Sequence, residues 1–259
     1  MTYKWARKLQ NFGAWTFACD KSIVPILPAK KKNCEDFDSL DFDFGQAPMI
    51  VHTKIAGTPR DILAIGQKSC VFWAFDPDQK GATLWKTLVG PGGNLGGMEF
   101  GSAADGERIY AQVTNFQHEE YTVVAGPQKG TVANGGLWAA LDPATGKLLW
   151  QTPDPTAKRV HKGILVQPTF GAFLGEGYFG VAKGPMTVNN GVVFAGSMDR
   201  AGNMYAFDAK DGRILWNFAS GGSVMSAPAI VDNVLYWGSG YGKTGFGNKK
   251  FFAFALPKN

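Results

Sequence analysis

Four aspartates, Asp36, Asp38, Asp41 and Asp43, stand two or three residues apart just ahead of the first apolar hairpin, the spacing in this chain that comes nearest to a metal centre. In an extended segment alternate residues face one way, so Asp41 and Asp43 can turn two carboxylates to one face and hold a hard cation such as Ca2+. A solvated acidic loop is the competing reading. His118-Glu119-Glu120 also has ligand-type residues, but no second histidine follows at strand or helix spacing, and it reads as a surface loop. Gly90–Gly97 (GPGGNLGG) has the glycine density of a phosphate cradle; no Lys-Ser/Thr follows it and no βαβ pattern encloses it, so a flexible connection is expected. Lys68, taken alone, is a lysine at a strand end that snorkels to solvent. Of three cysteines, Cys19 and Cys34 bracket a proline-rich loop and can bridge in an oxidising compartment or stay reduced, whereas Cys70 is expected buried and unpaired within a strand.

The elements that must position these residues announce themselves by repetition. The phrases AFDPDQKGATLW (Ala74–Trp85), ALDPATGKLLW (Ala140–Trp150) and AFDAKDGRILW (Ala206–Trp216) place Asp76, Asp142 and Asp208 at intervals of 66 residues. Trp85, Trp150 and Trp216 recur at 65 and 66 residues, so one structural unit is reused. Each copy reads as a strand that delivers Ala and Asp, a turn closed by Gly81, Gly146 or Gly212, and a second strand ending on Trp. The tryptophans are assigned to docking on the next unit, with the indole N–H bonded to a carbonyl.

Upstream of each phrase lies a hairpin: Ala47–Lys68, Met98–Asn115, Pro185–Ser197 and Ala227–Gly240, with turns at Asp105-Gly106, Asn190-Gly191 and Asp232-Asn233. Hairpin plus phrase makes four antiparallel strands, a propeller blade. The fold class is therefore all-β, a β-propeller with about four blades, near 47–85, 98–150, 185–216 and 227–256, in one domain over 1–259. Residues 1–46 read as the tail of a preceding blade, ending at Tyr3-Lys4-Trp5, plus a loop. Phe251–Asn259 aligns with Ala-Phe-Asp but has Ala255 in place of Asp, so the last blade is expected to lack its outer strand. Part of a larger ring is preferred over a four-bladed ring closed by Thr2–Lys8, and a part should associate through its open edges.

Composition excludes several classes. Charged residues are 18% and net charge is +5, with Lys30-Lys31-Lys32 as the one basic run, so a nucleic-acid partner is not expected. No apolar stretch is long enough to span a bilayer; Gly163–Gly184 is broken by Gln167, Pro168 and Glu176. No signal peptide opens the chain, since Met1–Trp5 has no apolar core.

The phrase Ala-x-Asp-x-x-Thr-Gly-Lys-x-x-Trp, complete at Ala140–Trp150, resembles the tryptophan-docking motif of quinoprotein dehydrogenases, and non-catalytic scaffold propellers of outer-membrane assembly carry it too. Asp41–Val51, Ile65–Asp78 and Leu88–Gln112 are more particular and resemble the polyvinyl-alcohol dehydrogenase branch, aligned to that family's C-terminal half. The resemblance implies an eight-bladed ring holding pyrroloquinoline quinone (PQQ) and Ca2+. It further implies an alcohol substrate, an electron acceptor and an extracellular or periplasmic location. It places Lys68 where the family has a basic side chain on the quinone oxygens, with Cys70 replacing the usual glycine. Trp15 stands where the family has a Trp beside acidic residues, although Phe12-Gly13-Ala14 replaces a His-Asp type of sequence. The general base, most calcium ligands, a stacking Trp and a vicinal cysteine pair are expected upstream of this chain, which alone should not turn over.

Two function classes follow. One is the C-terminal portion of a PQQ-dependent alcohol dehydrogenase. The other is a non-catalytic propeller that binds partners through loops such as Phe116–Gly130 and Lys158–Leu174.

Overall fold

The computed structural model describes residues 2–9, 41–157, 180–241 and 247–255. Trp15, Cys19, Cys34, Asp36, Asp38 and the Lys158–Leu174 loop lie outside the described residues.

The first sheet contains β1 (Met49–Ile55), β2 (Thr58–Gly66), β3 (Val71–Asp76) and β4 (Ala82–Leu88) in sequence order. The second uses β5 (Ala103–Ala104), β6 (Ile109–Val113), β9 (Leu137–Leu141) and β10 (Leu148–Pro153); a small hairpin of β7 (Tyr121–Thr122) and β8 (Val132–Ala133) is inserted between β6 and β9. The third is β11 (Thr187–Asn189), β12 (Val192–Gly196), β13 (Asn203–Asp208) and β14 (Ile214–Ala219). The fourth has three strands among the described residues, β15 (Ala229–Val231), β16 (Val234–Ser239) and β17 (Lys250–Ala255). Every pairing within these sheets is antiparallel, the blade pattern of a β-propeller.

Turn chemistry explains the first hairpin of each blade. Ala56-Gly57, Asn190-Gly191 and Asp232-Asn233 have consecutive positive φ, the geometry whose twist matches a two-residue β-turn. Asp105 instead caps its turn, its Oδ1 accepting from the amides of Glu107 (3.0 Å) and Arg108 (2.8 Å). In the three complete blades the phrase alanine lies opposite its tryptophan, Ala74 to Trp85, Ala140 to Trp150 and Ala206 to Trp216, with a register shift beside each pair.

Apolar side chains join consecutive sheets into three buried clusters. Val51, Phe72 and Trp85 meet Ile109 and Leu137 between the first two; Tyr110, Trp138 and Trp150 meet Val193 and Phe207 between the second and third. Met204 and Val224 meet Leu235 and Trp237 between the third and fourth. Among the described residues no cluster joins the fourth sheet to the first, and Thr2–Leu9 carries no strand, so the closure by Thr2–Lys8 is not formed here.

Candidate functional site

Two kinds of site lie at opposite ends of the blades. At one end are the turns inside the repeated phrase. Asp76, Asp142 and Asp208 each accept backbone amides on Oδ1, from Asp78 (2.9 Å), Ala144 (2.9 Å) and Lys210 (2.8 Å). The same aspartates' carbonyls receive the amides of Gly81, Gly146 and Gly212, at 3.0, 2.8 and 2.8 Å. Asp76 additionally holds Arg60 Nη2 at 2.6 Å. Trp85 Nε1 donates to Pro143 O (2.9 Å) and Trp150 Nε1 to Ala209 O (3.0 Å) of the following blade, while Thr87 and Thr152 hydroxyls donate to Gly146 O and Gly212 O. A Cβ on Gly146 or Gly212, both at positive φ, would sit inside the indole of Trp85 or Trp150, so these turns need glycine for shape as well as conformation. Trp5 lies on Gly81 in the same way, and Arg7 Nε donates to Lys80 O at 3.0 Å. Trp216 differs: it is 36% exposed and stands edge-on to Trp237 and Phe254.

At the other end lies the Lys68 corner. Gln67–Cys70 forms the turn between β2 and β3, closed by Cys70 N to Gln67 O (2.8 Å) and Gln67 N to Val71 O (3.1 Å). Cys70 therefore sits in a turn and not in a strand as expected. Its φ of 62° is the left-handed region that favours glycine, the residue that the resemblance implies at this place. Complete burial, with Glu99 adding, pushes its thiol well up, so it is an unreactive packing residue. Lys68 does not snorkel. Its side chain is 9% exposed, and Nζ meets Asp41 Oδ2 at 2.5 Å and Asp43 Oδ1 at 3.6 Å.

The acidic segment is the loop that was the better of its two expected readings, but one tied to Lys68. Asp41–Phe44 is not a strand; Gly45 makes an isolated bridge to Glu99, and both carboxylates converge on one ammonium. Opposite charge and backbone bonds hold it there: Lys68 N donates to Asp43 O (3.1 Å), Gln67 Nε2 to Phe42 O (2.6 Å) and Asp41 N to Asn94 Oδ1 (2.8 Å). No group of three or more metal-ligating side chains assembles among the described residues.

Gly90–Gly97 is packed where flexibility was expected. Gly92 lies on the Ser69 backbone, Gly97 on Lys68 and Gly93 on the Gln117 side chain, each too close for a Cβ. The glycines let one blade connection press against the Lys68 turn, a packing role with no phosphate geometry. Around this connection four buried polar atoms have no hydrogen-bond partner: Gln46 Nε2, Gln112 Oε1, Thr114 Oγ1 and Gln117 Oε1. Such atoms cost free energy unless water or a polar ligand meets them. His118 lies in a loop, as expected, but is partly buried; burial lowers its pKa, opposed by the Asn134 carbonyl 3.0 Å from Nδ1.

Two buried features escaped sequence reasoning because neither has a motif. Lys183 Nζ lies 3.1 Å from Glu99 Oε2, with both side chains largely buried. Asp154, on the connection after β10, is 2% exposed; its Oδ1 accepts from Thr156 N (2.9 Å) and Oγ1 (2.7 Å), while Oδ2 has no partner. Burial pushes its pKa up to about 6, Ser197 and Thr156 oppose, and Asp199 adds.

Comparison with known proteins agrees with the propeller. A family model described as outer membrane protein assembly factor BamB, of the PQQ_2 type, matches residues 133–245. A polyvinylalcohol dehydrogenase of Pseudomonas sp. is 34% identical over 224 residues, 81% of this chain and 30% of the relative. That of Sphingopyxis sp. (strain 113P3) is 33% identical over 227 residues with the same coverage, so the chain spans about 30% of the length of these relatives. The quinohemoprotein alcohol dehydrogenase of Comamonas testosteroni superposes with a TM-score of 0.57 at 16% identity, over 86% of this chain and 40% of that one, a likeness of fold.

Proposed function

We propose, from the premise that this chain belongs to the quinoprotein dehydrogenase family on its polyvinyl-alcohol dehydrogenase branch, that it forms part of a PQQ-dependent alcohol-oxidising propeller with Lys68 on the cofactor. The observation that carries this reading is the buried Lys68 ammonium, held in place on the β2–β3 turn of the first blade, beside polar atoms that lack partners. An ammonium has three donors; Asp41 takes one, Asp43 at 3.6 Å adds its charge without a hydrogen bond, and a further donor would serve a quinone oxygen.

When bound, PQQ supplies a two-electron acceptor for the hydride of the alcohol carbon. Lys68 would stabilise negative charge that develops on the quinone oxygens, and the Asp41 carboxylate would keep the ammonium aimed. The base that takes the hydroxyl proton and most ligands of a Ca2+ ion are assigned, by the family resemblance, to segments outside these residues. An alcohol substrate, an external electron acceptor and an extracellular or periplasmic setting belong to the same reading.

One observation favours the alternative, a non-catalytic binding scaffold: the charge of Lys68 is already balanced by two carboxylates. Titration of the protein with PQQ and Ca2+, followed by quinone absorbance, separates the two. Saturable binding abolished by Lys68→Met supports the quinone site; binding unchanged by Lys68→Met, or none in the full-length parent, leaves the scaffold.

A further inference from the structure

Gln67 stands beside Lys68 on the β2–β3 turn, is 3% exposed, and uses both ends of its carboxamide. Its Nε2 donates to Phe42 O at 2.6 Å, while Oε1 accepts from Ser69 Oγ (2.8 Å) and from the indole Nε1 of Trp73 (3.2 Å). These partners fix which way round the amide lies, because an indole N–H can only donate and a carbonyl can only accept. One side chain thus ties the sheet, through Trp73 on β3, to the irregular segment that carries Asp41 and Asp43. Phe42 lies between the two aspartates, so a bond to its carbonyl holds the backbone from which both carboxylates reach Lys68.

The third blade shows what the scaffold alone needs at this place. Ser197 stands there where Gln67 stands in the first blade, as three backbone bonds establish. Ser197 N donates to Asn203 O (2.8 Å) as Gln67 N does to Val71 O (3.1 Å). Met198 N donates to Val181 O (3.1 Å) as Lys68 N does to Asp43 O (3.1 Å), and Val224 N donates to Ser197 O (3.0 Å) as Met98 N does to Gln67 O (3.3 Å). The frame therefore forms on a serine, whose short side chain accepts from Asp199 N at 3.1 Å within its own turn. Where Met198 takes the place of Lys68, the long amide is absent too.

We propose that Gln67 is a positioning residue, whose carboxamide keeps the Asp41–Asp43 segment on Lys68 and so holds the ammonium where a quinone oxygen would lie. The blade does not need this arm; the charged corner does. The consequence for PQQ rests on the quinone reading of Lys68, whereas the positioning is read on the lysine itself.

Reductive methylation with formaldehyde and cyanoborohydride, mapped by peptide mass spectrometry, measures how firmly the ammonium is held. Gln67→Met keeps the length of the side chain and removes its amide. It should speed methylation of Lys68 at least about fivefold, while the exposed Lys86, Lys147 and Lys210 keep their rates. A Lys68 rate equal to wild type overturns the proposal, and so does equal acceleration at all four lysines, the mark of general loosening. Gln67→Ser, the residue of the third blade, should act as Gln67→Met does; a wild-type Lys68 rate with serine overturns the proposal, because the frame alone would then suffice. In the PQQ titration both variants should weaken binding about tenfold or more. Binding that Lys68→Met abolishes and Gln67→Met leaves intact overturns the positioning role. Binding that Lys68→Met leaves unchanged sinks the quinone reading instead, and the methylation rates still decide the part played by Gln67.

Discussion

The two ends of the blades obey different rules. At the phrase turns the same contacts recur: aspartate on its own amides, glycine under an indole, indole N–H on the next carbonyl. At the Lys68 corner the backbone frame recurs in the third blade, where Met198 N and Val224 N bond as Lys68 N and Met98 N do, but the side chains do not: Asp41 and Asn94 reach this one turn from different parts of the chain. Repetition builds the scaffold, and departure from repetition makes a place where something specific can bind.

That division breaks most readily at Trp150, which is fully buried and bonded to Ala209. Trp150→Ala should cost about 3–5 kcal/mol in urea unfolding, and a loss below ~1 kcal/mol would show that docking does not hold the blades. Next is Asp154, a scaffold carboxylate at the opposite end from the docking turns. Its folded pKa of about 6 lies above the ordinary 3.8, so the folded state binds the proton more tightly. Its contribution to stability is therefore fully present at low pH and is lost as pH rises from about 4 to about 6. At neutral pH the loss is of the order of 3 kcal/mol, from about 1.4 kcal/mol per pKa unit. Asp154→Asn should raise neutral-pH stability toward that amount and flatten the acid limb of the wild-type profile; a profile parallel to wild type would contradict a carboxylate governed by burial.

At the Lys68 corner the expected effect on folding is smaller and that on binding larger. Lys68→Ala should lower stability by about 1–2 kcal/mol, since Asp41 is partly exposed and can take up water. The same change should weaken PQQ binding at least tenfold, about 1.4 kcal/mol. Equal loss in both readouts would erase the distinction between the two ends. The smallest effect is assigned to Trp216→Ala, about 1 kcal/mol, because the residue is 36% exposed and no turn glycine among the described residues lies beneath it.

The scaffold was legible because periodic residues do periodic jobs: Asp142, Gly146 and Trp150 can be understood from three copies without coordinates. The turns at Asn190-Gly191 and Asp232-Asn233 were legible for a local reason, their tolerance of positive φ. The corner was only half legible. Asp41, Asp43 and Lys68 stood out by type, but their mutual contact spans 25–27 residues and depends on a connection that makes no strand. Gly90–Gly97 misled because glycine density signals freedom in an isolated peptide and close approach in a packed one. Asp154 and the Lys183–Glu99 pair left no local trace, since their burial is set by neighbouring blades.

The unequal seating of the tryptophans sets a direction for unfolding. Blades linked only to their neighbours behave as a one-dimensional chain, whose opening begins where the coupling is weakest. Trp85 and Trp150 latch their neighbours by hydrogen bonds, whereas among the described residues Trp216 meets the fourth sheet through ring edges. In the separate chain, amide hydrogens of β15–β17 should exchange first and those of β6 and β9 last, so that the molecule unzips from one end while its middle stays closed.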